Sequence, residues 1–184
     1  MQGRKTLIVG DVGSGKTKVT KSLLEEAASV EPEIKILDFA PPMKIHEGRE
    51  VGGHLITRKI PGVIHYKSED IRTPRISAKS NEELLSLVQI NYEITLKMLM
   101  KFIVNPSKVL FINDVSIHLQ HGKLDELLMA VNKANTSILN GYMGDFLSPD
   151  LETRVSETER NLMKKLGTQM DHVIDLTVEE LNAK

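Results

Sequence analysis

The stretch that decides the fold is residues 10–17, which read Gly-Asp-Val-Gly-Ser-Gly-Lys-Thr. It fills every fixed position of the phosphate-binding pattern G-x-x-x-x-G-K-[S/T]. An apolar run at residues 6–9 precedes it, and a helix-forming stretch follows. Glycines let the backbone turn with positive φ and approach a phosphate closely. Successive N–H groups then point inward at the positive end of a helix. We therefore predict a phosphate-binding loop made of Gly10, Asp11, Val12, Gly13, Ser14, Gly15, Lys16 and Thr17.

Two side chains of this loop have distinct expected roles. Lys16 would reach the β- and γ-phosphates of a nucleoside triphosphate, and the Thr17 hydroxyl would coordinate Mg²⁺. The alternative is a glycine-rich turn in an unrelated α/β protein. A match at all four fixed positions, placed between an apolar run and a helix-forming stretch, makes such a coincidence rare, so we expect ATP and Mg²⁺ as cofactors.

The composition indicates a globular protein and excludes several kinds of site. The length of 184 residues suits one domain spanning residues 1–184. There is no cysteine, which excludes disulfides, thiolate zinc sites and cysteine nucleophiles. The apolar run before the loop is too short for a signal peptide, and no stretch approaches the ~20 apolar residues of a membrane span. We expect a cytoplasmic protein without a membrane partner.

The charge distribution bears on possible partners. A net charge of −1 argues against a general polyanion binder, so nucleic acid is not an expected partner. Residues 41–80 nevertheless carry eight basic and four acidic side chains. This local excess is typical either of a surface for an anionic partner or of a solvated insertion of mixed charge. The sequence carries no signal for an oligomeric state.

Apolar runs alternate with helical patterns along the chain. The predicted strands are residues 6–9, 34–39, 108–114, 136–139 and 172–176, and the predicted helices are residues 16–29, 80–104, 123–135 and 156–170. Capping boxes at Ser80, Ser156 and Thr177 predict three helix starts. Nearly continuous apolar strands are typical of parallel sheets buried on both faces. We predict an α/β fold, a three-layer α/β/α sandwich with a mainly parallel five-stranded sheet.

Two segments do not fit this alternation. Residues 43–79, here called the insertion, are broken by glycine and proline, and we expect residues 51–56 and 63–66 to pair as a small hairpin. Residues 140–155 form a second long loop. Long segments without strong structure are usually functional or mobile.

Polar residues follow three of the predicted strands, where parallel sheets bind ligands. Asp114 follows an apolar strand and would hold Mg²⁺ with Thr17; alternatively it caps the next turn. Asp38 is a candidate general base or second metal contact; alternatively it terminates its strand before two prolines. Asn140 would lie near the γ-phosphate or the attacking water; alternatively Asn140 and Gly141 form a turn.

With the loop at residues 10–17 and Asp114 at the end of an apolar strand, the chain resembles the P-loop NTPase superfamily over most of its length. Guanine-nucleotide switch proteins of that superfamily carry D-x-x-G and N-K-x-D motifs. Here Asp114 is followed by Val-Ser-Ile, and residues 132–135 read Asn-Lys-Ala-Asn. The resemblance therefore implies ATP. Val115 replaces the glutamate that many ATP-hydrolysing members carry, so vigorous hydrolysis would need a base from another strand.

The order of elements resembles the RecA-type branch, in which a strand with a polar end lies between the Walker A and Walker B strands. Residues 136–140 suit that place. The second half is also loosely similar to small kinases such as cobinamide kinase, through Asn140-Gly141, an early helical arginine and Asp171-His172-Val173. That resemblance implies that Arg154 and Arg160 act as lid arginines on a transferring phosphoryl group. The alternative for Arg160 is a helix-surface salt bridge with Glu157.

The histidines give weak signals. The spacing of His118 and His121 fits a metal on a helix, but surface histidines near the nucleotide are the preferred interpretation, and His46, His54 and His65 show no ligand spacing.

The sequence thus predicts an ATP-binding protein that acts on the γ-phosphate with Mg²⁺, first as an ATPase. One alternative is a small-molecule kinase with an acceptor pocket formed by residues 43–79 and 140–155. Another is a non-catalytic nucleotide-binding module that engages a protein partner.

Overall fold

A computed structural model describes residues 3–56 and 58–177. The strands are β1 (Lys5–Gly10), β2 (Ile34–Asp38), β3 (Lys44–His46), β4 (Arg49–Val51), β5 (Val63–Tyr66), β6 (Val109–Asn113), β7 (Thr136–Tyr142) and β8 (His172–Asp175). The helices are α1 (Lys16–Ala28), α2 (Pro74–Ser77), α3 (Asn81–Val104), α4 (Val115–Leu119), α5 (Asp125–Lys133) and α6 (Val155–Gly167).

Six strands form one parallel sheet in the order β5-β2-β6-β7-β1-β8. β7 lies between β1 and β6, as the RecA-type layout predicts. On one face, Leu24 and Ala27 of α1 belong to the core. On the other face, Leu99, Leu127 and Met163 bring α3, α5 and α6 into a second core cluster. The α/β fold with helices on both sheet faces is therefore confirmed, because strands that are apolar on both faces need two covering layers.

The predicted number of five strands is wrong. Residues 63–66 do not pair with residues 51–56; they form β5, which adds a parallel sixth strand beside β2 with Ile34 opposite Val63. The hairpin lies elsewhere, between β3 and β4. Its two turn residues, Glu47 and Gly48, have φ of 48° and 76°, the positive values that a tight two-residue hairpin turn requires.

The end of β7 corrects another expectation. β7 continues to Tyr142, with Asn140 opposite Ile8 and Gly141 opposite Val9. The alternative interpretation of Asn140 and Gly141 as a turn is therefore wrong, and the second long loop begins after Tyr142. Asn140 is 2% exposed, so its amide faces the interior at the carboxyl end of the sheet.

The capping predictions had mixed outcomes. At α3, Ser80 Oγ accepts from the Glu83 N–H (3.2 Å), and Glu83 Oε2 accepts from the Lys79 N–H (2.7 Å). The box predicted at Ser156 is wrong: α6 begins at Val155, and Asp150 accepts from the Ser156 N–H (2.9 Å). The box at residues 177–180 extends outside the described residues.

In the part of the chain that the structure describes, every helix is too short or too polar to span a bilayer.

Candidate nucleotide-binding site

The loop at residues 10–17 joins β1 directly to α1. Gly13 has φ of 80°, and Gly15, the residue before the first turn of α1, has φ of 91°. A Cβ at either position would meet no heavy atom within 4 Å. The requirement for glycine is therefore conformational at these two positions. At Gly10 it is spatial, because a Cβ there would collide with the Ser14 side chain.

Lys16 lies at the mouth of this loop. Its Nζ donates to the Asp11 carbonyl oxygen at 2.6 Å. Burial lowers the pKa of Lys16, while the negative charges of Asp114 and Asp11 oppose that shift. A desolvated ammonium bonded to a neutral carbonyl is a strong attractor for an anion. The predicted position of Lys16 beside a phosphate fits this environment.

Asp114 directly follows β6 with φ of 59°, a left-handed conformation that turns the chain sharply into α4. Its N–H donates to Asn140 Oδ1 (2.9 Å), and its carboxylate accepts a hydrogen bond from the Ser116 hydroxyl. Burial raises the pKa of Asp114; the Ser116 hydrogen bond and the charges of Lys16 and Arg75 oppose the rise. The orientation of the Asp114 carboxylate is thus fixed by a hydrogen bond from a neutral hydroxyl, which leaves its negative charge available to a cation.

Asp114 and Thr17 line one cavity of about 100 Å³ together with Lys16, Asn113 and Asn140. Carboxylate and hydroxyl oxygens are the ligands that Mg²⁺ prefers, and it usually takes few of them from the protein beside a phosphate. The donor set therefore fits Mg²⁺. Across residues 3–56 and 58–177, no group of three or more His, Asp or Glu side chains is arranged to hold a metal by itself.

A buried chain of hydrogen bonds runs along the carboxyl ends of the strands. Asn140 Nδ2 donates to Thr20 Oγ1 and to Asn113 Oδ1, both at 2.9 Å. Asn113 Nδ2 then donates to Asp38 Oδ1 at 2.7 Å. Thr20 in turn donates to the Lys16 carbonyl oxygen at 2.8 Å. The network therefore fixes Asn140 and Asn113 relative to the phosphate loop.

Asp38, the candidate base, is fully buried at the end of this network. Its Oδ2 accepts from His65 Nε2 (2.9 Å) and the Leu55 N–H (2.7 Å), and His54 Nδ1 lies 3.6 Å from Oδ1. Burial by itself would raise the pKa of Asp38, but the close contact with His54 and the hydrogen bonds from His65, Asn113 and Leu55 outweigh it and lower the pKa to about 2. Because its oxygens are occupied by hydrogen bonds, Asp38 is better suited to orienting its neighbours than to accepting a proton as a general base.

The convergence of two histidines on Asp38 was missed by sequence reasoning, which found no ligand spacing among them. His54 Nε2 also bonds to Glu69 Oε1 at 3.2 Å. Both rings come from the insertion: His65 lies on β5, which joins the main sheet beside β2, and His54 precedes Leu55, whose N–H donates to Asp38. These contacts with Asp38 hold the insertion close to the phosphate loop.

A second set of contacts, made by Asp11 and Phe146, connects the phosphate loop, the loop after β7 and the hairpin. Asp11 Oδ2 accepts from the N–H groups of Asp145 (3.1 Å) and Phe146 (3.4 Å). The Arg49 guanidinium lies 4.7 Å from the Phe146 ring centre, and the His46 ring centre is 5.9 Å away. We call these contacts of Phe146 with Asp11, His46 and Arg49 the Phe146 clasp. It joins the hairpin of the insertion to the loop after β7, in front of the phosphate loop.

The two predicted lid arginines lie in different places. Arg160 donates to the Gly144 carbonyl (2.8 Å) and Asp145 (2.6 Å), next to the Phe146 clasp. The alternative salt bridge from Arg160 to Glu157 is wrong, since Arg154 makes that contact at 2.8 Å. Arg160 is thus connected to the phosphate loop through Asp145, whose N–H donates to Asp11. The Arg154 side chain is 78% exposed and contacts Glu157 instead.

The prediction that His118 is a surface residue is wrong. Its ring has no exposed surface, its Nδ1 bonds to Thr95 Oγ1 at 2.8 Å, and burial lowers its pKa to about 4. His121 stacks on Tyr92 with ring centres 3.9 Å apart. The short helix α4 turns His118 inward, and that helix was not predicted because it spans only five residues.

A second cavity of about 30 Å³ also borders Asp114. It shares Gly52 and Tyr142 with the first cavity, and its polar walls include Ser116 and Gln120. No sequence pattern marks Gln120, because its neighbours come from the insertion and from α6.

No protein-family model matches the chain, and no curated protein matches it. Among solved structures, the chain is similar to the crystal structure of Pif1 helicase from Candida albicans, with 13% sequence identity and a TM-score of 0.37. The similarity covers 95% of this chain and 36% of the helicase chain, so the chain spans little more than a third of that protein. A likeness of this extent carries no functional conclusion.

Proposed function

We propose that the protein binds ATP with Mg²⁺ at residues 10–17, as P-loop NTPases do, and hydrolyses the γ-phosphate. One observation carries the proposal. The glycine-shaped loop at the N-terminus of α1 opens onto a cavity that also contains Lys16, Thr17 and the Asp114 carboxylate. Backbone N–H groups, a cation and hard oxygen ligands are the components that a triphosphate and its metal need.

The proposed roles follow from the geometry. The loop amides and Lys16 stabilise the charge on the phosphates, which is the main catalytic requirement in phosphoryl transfer. Thr17 and Asp114 would hold Mg²⁺, which when bound neutralises charge on the β- and γ-phosphate oxygens. Asn140 would lie near the γ-phosphate. Asp38 would orient the Asn140 side chain through its hydrogen bond with Asn113.

Arg160 is proposed as a lid residue. It is held by Gly144 and Asp145, whose loop is tied to the phosphate loop by Asp11. Its charge can approach a transferring phosphoryl group if this loop closes. Asp38 as a general base is the less favoured role, because its carboxylate has no exposed surface.

Hydrolysis is favoured over transfer by the dimensions of the second cavity. At about 30 Å³ it has room for water but not for a metabolite. Phosphate transfer to a small molecule is the second candidate, because Arg49, Glu50 and His54 of the insertion line a wider opening of about 650 Å³ in front of the loop. An acceptor could lie there beside the nucleotide.

The decisive test is MgATP-dependent thermal stabilisation of the wild type, Lys16→Ala and Lys21→Ala. Lys21 is an exposed lysine on the same helix and serves as the control. At a ligand concentration a hundredfold above Kd, binding stabilises the wild type by ~2.7 kcal/mol. That corresponds to a rise in Tm of about 5–10 °C for a domain of this size. Lys16→Ala should show no rise and Lys21→Ala the full rise; equal stabilisation of both variants would refute the site.

Turnover assays then separate the activities. Phosphate release from MgATP without an added acceptor indicates an ATPase. Phosphate transfer to members of a metabolite panel indicates a kinase. MgATP binding with neither product indicates a non-catalytic module that signals its nucleotide state to a partner.

A further inference from the structure

The second cavity has the dimensions and the polar lining of a water site. A water molecule needs roughly 10–15 Å³ and two to four polar partners, and the cavity offers about 30 Å³. Its polar lining comes from Thr73, Arg75, Asp114, Ser116 and Gln120, and its apolar walls include Pro41, Ile117 and Leu147. Because Asp114, Gly52 and Tyr142 line both this cavity and the nucleotide cavity, the two cavities are neighbours.

Gln120 is the buried polar group of this cavity that lacks a partner. Its side chain is 3% exposed, and its Nε2 donates to Glu159 Oε2 at 2.8 Å. The carboxylate of Glu159 accepts, so it fixes which end of the amide faces it. The other end, Oε1, has no hydrogen-bond partner among the described residues. An unpaired buried acceptor destabilises the folded state, so a hydrogen-bond donor inside the cavity is favoured.

Glu159 also fixes the opposite wall. Arg75 Nη2 donates to the same Glu159 Oε2 at 3.0 Å, and the guanidinium lies 5.1 Å from the ring centre of Tyr142. Both Arg75 and Glu159 side chains are almost fully buried. The ion pair therefore holds Gln120 and Arg75 in fixed directions around the cavity, as a preorganised site requires.

We propose that this cavity binds the water that attacks the γ-phosphate and that Gln120 Oε1 orients it; the proposal rests on the proposed ATPase function. By accepting one water hydrogen, Oε1 directs a lone pair of the water oxygen out of the cavity. That oxygen forms a bond to the γ-phosphorus while the bond from phosphorus to the β,γ-bridging oxygen breaks. The electron pair of the broken bond leaves with ADP, and both protons of the water leave with inorganic phosphate as H₂PO₄⁻, so atoms and charge balance.

Gln120, unlike Asp38 and Asp114, does not lie at the end of a strand. Val115, which follows Asp114, is fully buried in the core and has no polar group to offer. Gln120 follows α4, the short helix that begins after Asp114. The left-handed turn at Asp114 thus directs the chain so that its sixth following residue returns to the site.

The test compares Gln120→Met with the wild type and with Gln169→Met, an exposed glutamine that serves as the control. Methionine keeps the length of the side chain and removes both polar atoms. We expect kcat for ATP to fall about 10²-fold in Gln120→Met, with the Kd for Mg²⁺ and a non-hydrolysable ATP analogue unchanged. The control should retain both values. A kcat within twofold of the wild type would overturn the assignment.

A second variant guards against loss of folding. Ile117→Phe enlarges an apolar wall of the cavity and leaves every polar group in place. It should lower kcat with analogue binding retained, and full turnover would contradict a water site here. Wild-type protein that binds MgATP but releases no phosphate would overturn this inference and leave nucleotide binding intact. Wild-type protein that fails to bind MgATP would overturn the proposed function itself.

Discussion

Replacing Asp38 by asparagine should destabilise the protein by about 2 kcal/mol at pH 7. The pKa of Asp38 is lowered to about 2 from its ordinary 3.8, and each pKa unit corresponds to ~1.36 kcal/mol of differential interaction. The difference is the free energy by which the donors around the ionised carboxylate favour the folded state. Asparagine has nearly the same shape, so the packing of the site is retained while the charge is lost.

The hydrogen-bond pattern explains why an amide cannot substitute. One carboxylate oxygen accepts from Asn113 Nδ2 and the other from His65 Nε2 and the Leu55 N–H. An asparagine would have to present its own N–H₂ to one of these donor groups. A loss of about 2 kcal/mol should lower Tm by ~4–8 °C in a domain of this size.

The pH dependence gives the sharper test. Because the folded-state pKa is lowered, the stabilisation is complete above pH ~5 and is lost as pH falls through the folded value of about 2. Urea unfolding at pH 7, 5, 4 and 3 should therefore show a difference between wild type and Asp38→Asn that is constant down to pH 5 and falls to about half by pH 3.

The control is Asp70→Asn, since the Asp70 side chain is 80% exposed and lies 3.8 Å from Arg72. It should match the wild type within ~0.5 kcal/mol at every pH. The reasoning is refuted if Asp38→Asn is as stable as the wild type at pH 7, or if its deficit is unchanged at pH 3.

Two further predictions concern charges around the site. His54→Gln should cost more stability at pH 6 than at pH 9, because contact with Asp38 raises the pKa of His54 and that contribution disappears as pH rises through the raised value. Thermal unfolding measures it, with the exposed His172→Gln as control; a deficit independent of pH would contradict the pairing. Arg75→Met should cost ~3–5 kcal/mol at pH 8, because it leaves Glu159 buried and unpaired. Burial raises the pKa of Glu159 to about 7, so chemical unfolding should show a smaller loss at pH 6, and an equal loss at both values would count against the ion pair.

Features set by local sequence were predictable. The positive φ of Gly13 and Gly15 follows from the loop pattern at residues 10–17. The placement of Asn140 and Asp114 at one edge of the sheet follows from the rule that parallel strands bring their carboxyl ends together. Short apolar runs, such as residues 6–9 and 109–112, also located the central strands, because strands buried on both faces leave a strong local signal.

Features set by contacts between distant segments were not predictable. β5 is four residues long, and pairing with β2 rather than with the rest of the insertion is decided by the free edge of the sheet. The meeting of His54 and His65 at Asp38 depends on that pairing. The capping pattern at Ser156 was misleading because Asp150, six residues earlier, satisfies the backbone instead.

The Phe146 clasp couples the two segments that lie in front of the phosphate loop. The Phe146 ring belongs to the loop after β7 and contacts Arg49 and His46 of the hairpin. Movement of either segment away from the other therefore breaks these contacts. The two segments in front of the phosphate loop can therefore separate only when the contacts of Phe146 break. Under the proposed function, the exchange of nucleotide at residues 10–17 would require the same contacts to break.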